Sequence, residues 1–166
     1  DVLAPAEADA DARIADVYET SASGNQLTLV TEFEKLDSSS VIKINPDKKF
    51  QTITGFGGSF TESSAYLLNK LSKKNRDTIL QAYFSEKGAN YSLWRTHMNS
   101  CDFSLGQYSY APTEDKELKD FSVKEDMDDL IPIIKNASAI SKDGFKLFAS
   151  PWTAPPWMKD NKKWVG

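Results

Sequence analysis

At 166 residues, 40% hydrophobic and 27% charged, the chain has enough apolar surface for one packed core, which excludes wholesale disorder. A net charge of −4 without any Lys/Arg block removes the phosphate-neutralising footprint of a nucleic-acid binder, and no run approaches the roughly 18 apolar residues of a membrane span. With one cysteine, Cys101, and one histidine, His97, neither an internal disulfide nor the usual Cys/His zinc spacings can be written, and nothing else in the chain calls for a metal or cofactor.

The opening 1-DVLAPAEADADARIAD-16 is Ala-rich and acidic and starts with Asp rather than Met. It reads as a processed end left by removal of an export signal, which predicts a secreted or periplasmic protein. The cluster 21-SASGN-25 is a turn, 26-QLTLVT-31 alternates as a half-buried strand does, and 41-VIKINP-46 alternates again until Pro46 halts it. Two short strands make a β region too small to stand alone.

From Phe50 the character changes. The run 51-QTITGFGGSF-60 is strand-like but broken by three glycines, the mark of a bulge or of close backbone approach. It lacks the GxGxxG or GK[ST] frame of a phosphate cradle. Thr61 caps a helix over 62–71 with Ala65, Leu68 and Leu71 on one face, and Glu62 in its first turn suits the helix dipole. Ser72 caps a second helix over 73–87, which Gly88 ends.

A strand over 91–97 follows, with Tyr91, Leu93 and Arg95 on one face and Ser92, Trp94 and Thr96 on the other, Trp94 being left to the strand–helix core. A long loop over 98–121 holds Tyr108, Tyr110 and Pro112. Ser122 then caps a helix over 123–142 whose first turns carry Glu125, Asp126, Asp128 and Asp129, and Gly144 closes it. The strand 145-FKLFAS-150 leads into 150-SPWTAPPW-157, where three prolines make a stiff loop carrying Trp152 and Trp157. Such a loop plugs a core or offers flat aromatic faces to a ligand.

Strands separated by helices imply a parallel βα sheet of about three strands, where a (β/α)₈ barrel has about eight. The chain therefore reads as a truncated barrel. Ligands in such folds sit beyond the carboxyl ends of the strands, which here are 59–62, 95–102 and 150–157. Indole rings with Asp and Arg between them suit a sugar, whose C–H faces stack on aromatic rings and whose hydroxyls seek charged partners. Cys101 is read as a buried small hydrophobe rather than a nucleophile, because His97 has no acid paired with it in the sequence.

The strings FQTITGFGGSFTESSA, YFSEKGANYSLWRTHMNSCDFS, YSYA and LFASPWTAPPWMK resemble the amino-terminal part of the glucosylceramidase-like glycoside hydrolases, family 30, from about Phe50 onward. The resemblance implies an α/β protein, the first part of a (β/α)₈ TIM barrel over 50–166. Residues 1–49 would then be an arm and short strands of a β-sandwich side domain. It implies a retaining hydrolase acting on a β-glucoside or related glycan, with an acid/base glutamate after barrel strand 4 and a nucleophile glutamate after strand 7. Neither lies in this chain, so the resemblance supplies no catalytic residue here, and the remaining part of the barrel, from the same gene product, becomes the expected partner. What it carries over is sugar binding. Arg95 matches the arginine beneath the nucleophile, Asp102 the aspartate that accepts from sugar hydroxyls, and Trp152 the tryptophan against the same sugar. The competing expectation is a non-catalytic carbohydrate-binding or interaction module, which would satisfy its strands and helix faces within 166 residues.

Overall fold

The computed structural model describes residues 16–32 and 44–166. The chain forms two compact units, Asp1–Lys49 and Phe50–Gly166. In the first, β1 (Val17–Glu19) and β2 (Thr28–Val30) make an antiparallel hairpin in the register Val17↔Val30, Tyr18↔Leu29, Glu19↔Thr28. Its connection closes through Ser21 N–H to the Asn25 carbonyl (3.0 Å) and Gly24 N–H to the Ser21 carbonyl (3.2 Å). Gly24 sits at φ +115°, a conformation that L side chains rarely adopt. The strand expected over 26–31 is thus present, shortened, while its partner β1 was not expected. Of the strand expected over 41–46, residues 41–43 lie outside the described residues and 44–46 are not strand.

In the second unit β3 (Ser59–Phe60), β4 (Leu93–Met98) and β5 (Lys146–Pro151) form a parallel sheet in the order β3-β4-β5. Between β3 and β4 lie α1 (Glu62–Lys70) and α2 (Lys73–Phe84); between β4 and β5 come a 3₁₀ turn, Lys124–Met127, and α3 (Leu130–Ile140). The segment before β3 runs beside β4 without a regular ladder. Ser92 and Leu93 N–H both donate to the Phe56 carbonyl (2.9 and 3.1 Å), and Arg95 N–H donates to the Gly58 carbonyl (3.0 Å). A Cβ on Gly57 would overlap the Leu93 carbonyl. Of the two readings of the glycines, close backbone approach is therefore the correct one, and the strand expected over 51–60 shrinks to its last two residues.

Helix α1 starts where Thr61 accepts from Ser64 N–H, and α2 where Ser72 accepts from Asn75 N–H. Helix α2 ends three residues earlier than expected, because the Ser85 hydroxyl bonds back to the Gln81 carbonyl (2.7 Å) as the chain turns extended. Gly88 is not the stop but a close approach, since a Cβ there would overlap the Ala82 carbonyl. The helix expected over 123–142 breaks in two. Pro132 has no N–H and would clash with the carbonyl four residues earlier in a helix interior, so α3 begins close before it, capped by the Asp129 carboxylate on Leu130 N–H.

One face of the sheet is covered by these helices. Phe60 and Trp94 point from β3 and β4 into a cluster with Phe84, Ala65, Leu80, Leu130, Ile133 and Ala137. The Trp94 ring lies 4.6 Å from Phe60 and 4.7 Å from Phe84, as expected for a core tryptophan. The opposite face is open: Phe148, in register with Arg95, is 51% exposed, and on the helix side Leu147 of β5 is 41% exposed. Leu71, expected on the buried face of the first helix, is exposed too. The sheet ends at β3 and β5, each pairing only with β4 among the described residues.

Candidate functional site

The carboxyl end of β4 carries the site. Arg95 points to the open face, where its Nε donates to Ser150 Oγ of β5 (2.8 Å) and its guanidinium carbon stands 5.1 Å from the centroid of the Trp152 ring. That distance is within cation–π range and holds the indole over the strand ends. Trp152 is 51% exposed, so it is not a core plug. Its backbone N–H donates to the Met98 carbonyl (3.4 Å), which ties the stiff loop to the end of β4. Trp157 is spent differently: its Nε1 donates to the Ala111 carbonyl (2.8 Å), fastening the loop to the tyrosine segment.

Asp102 is exposed at the tip of a tight turn in which Ser104 N–H donates to the Cys101 carbonyl (3.1 Å) and Cys101 N–H to Ser104 Oγ (3.0 Å). The amino end of α1 grips this turn. Ser63 N–H donates to the Phe103 carbonyl (2.9 Å), and the Glu62 carboxylate accepts from Leu105 N–H (3.0 Å). Glu62 thus belongs to the first turn of its helix as expected, with its charge committed to a backbone amide. Asp102 and Trp152 face one cavity of about 380 Å³, shared with Ser100, Gln107, Thr153 and Trp164. That size suits a small ligand. The structure therefore gathers Arg95, Asp102 and Trp152 at one end of the sheet.

Cys101 corrects the sequence reading. It is partly exposed on the same cavity wall rather than buried, with its Sγ 3.8 Å from Ser104 Oγ. His97, given no role by the sequence, is buried at 1% exposure. Its Nε2 lies 3.3 Å from Glu62 N–H, which can only donate, so the ring proton sits on Nδ1 and points at the Asn99 carbonyl (2.7 Å). The imidazole therefore acts as a strut between α1 and the end of β4.

Behind the cavity Tyr108 and Tyr110 both donate to the buried Asp126 carboxylate, Tyr108 at 2.7 Å. Burial first, then the Asp126 hydrogen bond, pushes both phenols well above their ordinary 10.0, so both remain donors. This pairing turns Asp126 inward and explains its place in a 3₁₀ turn rather than on a solvated helix. Among the described residues, no group of three or more His, Cys, Asp and Glu is arranged to hold a metal ion.

Sequence reasoning passed over Gln107, Trp164 and Asn99. Gln107 and Trp164 carry no motif signal of their own. Asn99 had one: it follows a strand end in a turn-rich stretch, where Asn tolerates a left-handed backbone, and it sits at φ 61°.

Residues 53–166 match the glycosyl hydrolase family 30 TIM-barrel domain. The chain is 38% identical over 149 residues to the lysosomal acid glucosylceramidase of Mus musculus, covering 87% of this chain and 29% of that protein. The solved structure of SrfJ from Salmonella typhimurium superposes with a TM-score of 0.67 at 41% identity, covering 71% of this chain and 26% of that one. That of the endo-beta1,6-glucanase BT3312 superposes with a TM-score of 0.70 at 34% identity, covering 87% of this chain and 31% of that one. The chain thus spans less than a third of each of these three relatives. With the parallel βα order and a site at the carboxyl ends of its strands, the chain belongs to glycosyl hydrolase family 30, and residues 53–166 form part of that family's TIM barrel.

Proposed function

We propose that this chain supplies the sugar-binding, amino-terminal part of a retaining β-glycosidase of the glucosylceramidase or β-glucosidase type, exported from the cytoplasm. The observation that carries the reading is the meeting of Asp102 and Trp152 on one cavity at the strand ends, with Arg95 stacked against the Trp152 indole. A carboxylate exposed on the cavity wall accepts hydrogen bonds from sugar hydroxyls, the Trp152 indole offers a flat face to the sugar's C–H groups, and prolines limit the ordering entropy lost on binding. Arg95, against the Trp152 indole and Ser150, places a positive charge beside the site, which favours the ionised form of a carboxyl brought near it.

In this reading the acid/base and nucleophile glutamates stand on strands that pair beyond β5. The free edge of β5, the exposed Phe148 and Leu147, and the small share of each relative that the chain covers support it. Residues 1–49 would contribute to a β side domain, of which β1 and β2 are a hairpin. None of the described helices is long and apolar enough to cross a membrane.

The test is Asp102→Ala in the intact enzyme. Losing hydrogen bonds to an ionised acceptor is expected to lower kcat/KM for an aryl β-glucoside about a hundredfold, from roughly 1.5–3 kcal/mol of transition-state binding, with the melting temperature unchanged. Unaltered kinetics would remove Asp102 from the site.

A further inference from the structure

The structure assigns Asn99 as a positioning residue, one side chain that sets the Asp102 wall and the Trp152 wall of the cavity in register with each other; the assignment rests on the sugar site proposed above. Three chain segments meet at this residue. Its Nδ2 donates to the Thr153 carbonyl (3.3 Å), in the loop that carries Trp152. Its Oδ1 accepts from Tyr110 N–H (2.9 Å) and from Ser109 Oγ (3.4 Å), in the tyrosine segment. Its own carbonyl accepts from His97 Nδ1 (2.7 Å), and His97 in turn holds the start of α1, whose Ser63 and Glu62 grip the turn bearing Asp102.

The backbone shows why this connection is local to one residue. Asn99 stands at φ 61°, so the chain reverses immediately after β4 and sends Ser100 to Asp102 back toward α1. Ser100 N–H then donates to the Tyr108 carbonyl (3.1 Å), which closes the 100–108 loop on itself. Besides Asn99, the Trp152 loop is held to β4 by Trp152 N–H on the Met98 carbonyl (3.4 Å) and by the Arg95 guanidinium against the indole (5.1 Å), and to the tyrosine segment by Trp157 Nε1 on the Ala111 carbonyl (2.8 Å). The two ligand-facing walls thus come from different loops, and the Asn99 amide, at the end of β4, bonds to both the Trp152 loop and the segment that closes the Asp102 loop, beside the Trp157 anchor further along. Nothing in this arrangement requires Asn99 to touch the sugar. Its effect is on where Trp152 stands relative to Asp102, and a misplacement of about 1 Å is costly to turnover.

Two variants in the intact enzyme separate positioning from folding. Asn99→Gly keeps the left-handed backbone available and deletes both bridges. Asn99→Asp keeps an acceptor for Tyr110 N–H but turns a carboxylate oxygen against the Thr153 carbonyl. The readouts are kcat and KM on an aryl β-glucoside, Ki for a cationic sugar analogue, and the melting temperature. The expected result is a fall in kcat of about 100-fold for Asn99→Gly and about tenfold for Asn99→Asp, since misplacement near 1 Å costs about 10² in rate. Ki for the analogue should rise in the same order while KM changes by less than about threefold, the signature of an interaction realised in the transition state.

Parental kcat in either variant overturns the assignment. So does an activity loss that merely follows the fraction unfolded, with Ki for the folded remainder unchanged. If the parent enzyme hydrolyses no β-glycoside at all, the sugar-site reading itself has failed, and equal binding of the analogue by parent and Asn99→Gly would then overturn the positioning role as well.

Discussion

Residues 1–166 on their own are expected to leave an aryl β-glucoside uncleaved, and mixing them with a polypeptide bearing the rest of the barrel and its two glutamates is expected to restore turnover. Retaining hydrolysis needs two carboxyl groups about 5–5.5 Å apart, one to protonate the leaving oxygen and one to attack the anomeric carbon. The cavity offers Asp102 alone, and Glu62, the buried acid at the turn that bears Asp102, is committed to Leu105 N–H. Removing a cooperating catalytic unit whole costs of the order of 10⁶ in kcat, so the deficit should be complete in an ordinary assay.

The same experiment addresses the competing module. A self-sufficient sugar-binding domain would give a sharp unfolding transition alone and would gain nothing from the second polypeptide. If the remaining strands lie in a second polypeptide, as proposed above, the exposed Leu147 and Phe148 and the edges of β3 and β5, unpaired among the described residues, favour aggregation of the lone chain and pairing with those strands. Turnover by residues 1–166 alone would sink the assignment of the absent glutamates.

What the sequence revealed, and what it hid, follows from how local each signal was. Caps are local, and Thr61 and Ser72 begin their helices where their hydroxyls dictate. The alternation of β4 is local too: Trp94 falls in the core and Arg95 on the open face, as their positions required. Helix ends depended on tertiary partners. The acidic run 125–129 looked like a solvated first turn, yet Asp126 is drawn inward by two tyrosine hydroxyls that lie 16 and 18 residues earlier. Pro132 was a legible stop to that longer helix and was passed over.

In the site, the three residues that carry the family motifs converge, because Arg95 lies on β4 while Asp102 and Trp152 follow the ends of the parallel strands β4 and β5. Of the side chains that hold them there, Asn99 offered only a hint of its backbone turn and His97 none. Their roles are hydrogen bonds to backbone groups far along the chain, which no spacing announces. Trp157 had two open readings, and only the Ala111 carbonyl at 2.8 Å makes it an anchor rather than a ligand face.

Gly57→Ala is expected to destabilise the intact enzyme by about 4 kcal/mol or more, at the extreme of single substitutions. The added Cβ would enter the Leu93 carbonyl, which is backbone in the middle of the sheet and cannot swing aside as a flexible side chain would. Relief requires the 56–58 segment to lift away from β4. That movement breaks the donations of Ser92 and Leu93 to Phe56 and of Arg95 to Gly58, worth about 0.5–1.5 kcal/mol each. It also draws Phe60 out of its contacts with Trp94 and Phe84, adding the loss of a partly vacated aromatic site. Since β3 leads directly into Thr61 and the amino end of α1, the grip on the Asp102 turn should loosen as well, and kcat/KM should fall in the molecules that remain folded. Gly106→Ala is the matched control, because an added Cβ there meets nothing within 4 Å. Urea midpoints read by tryptophan fluorescence should drop for Gly57→Ala and stay at the parental value for Gly106→Ala. Coincident midpoints for the two variants would show that the glycine run is not there to let β3 lie against β4.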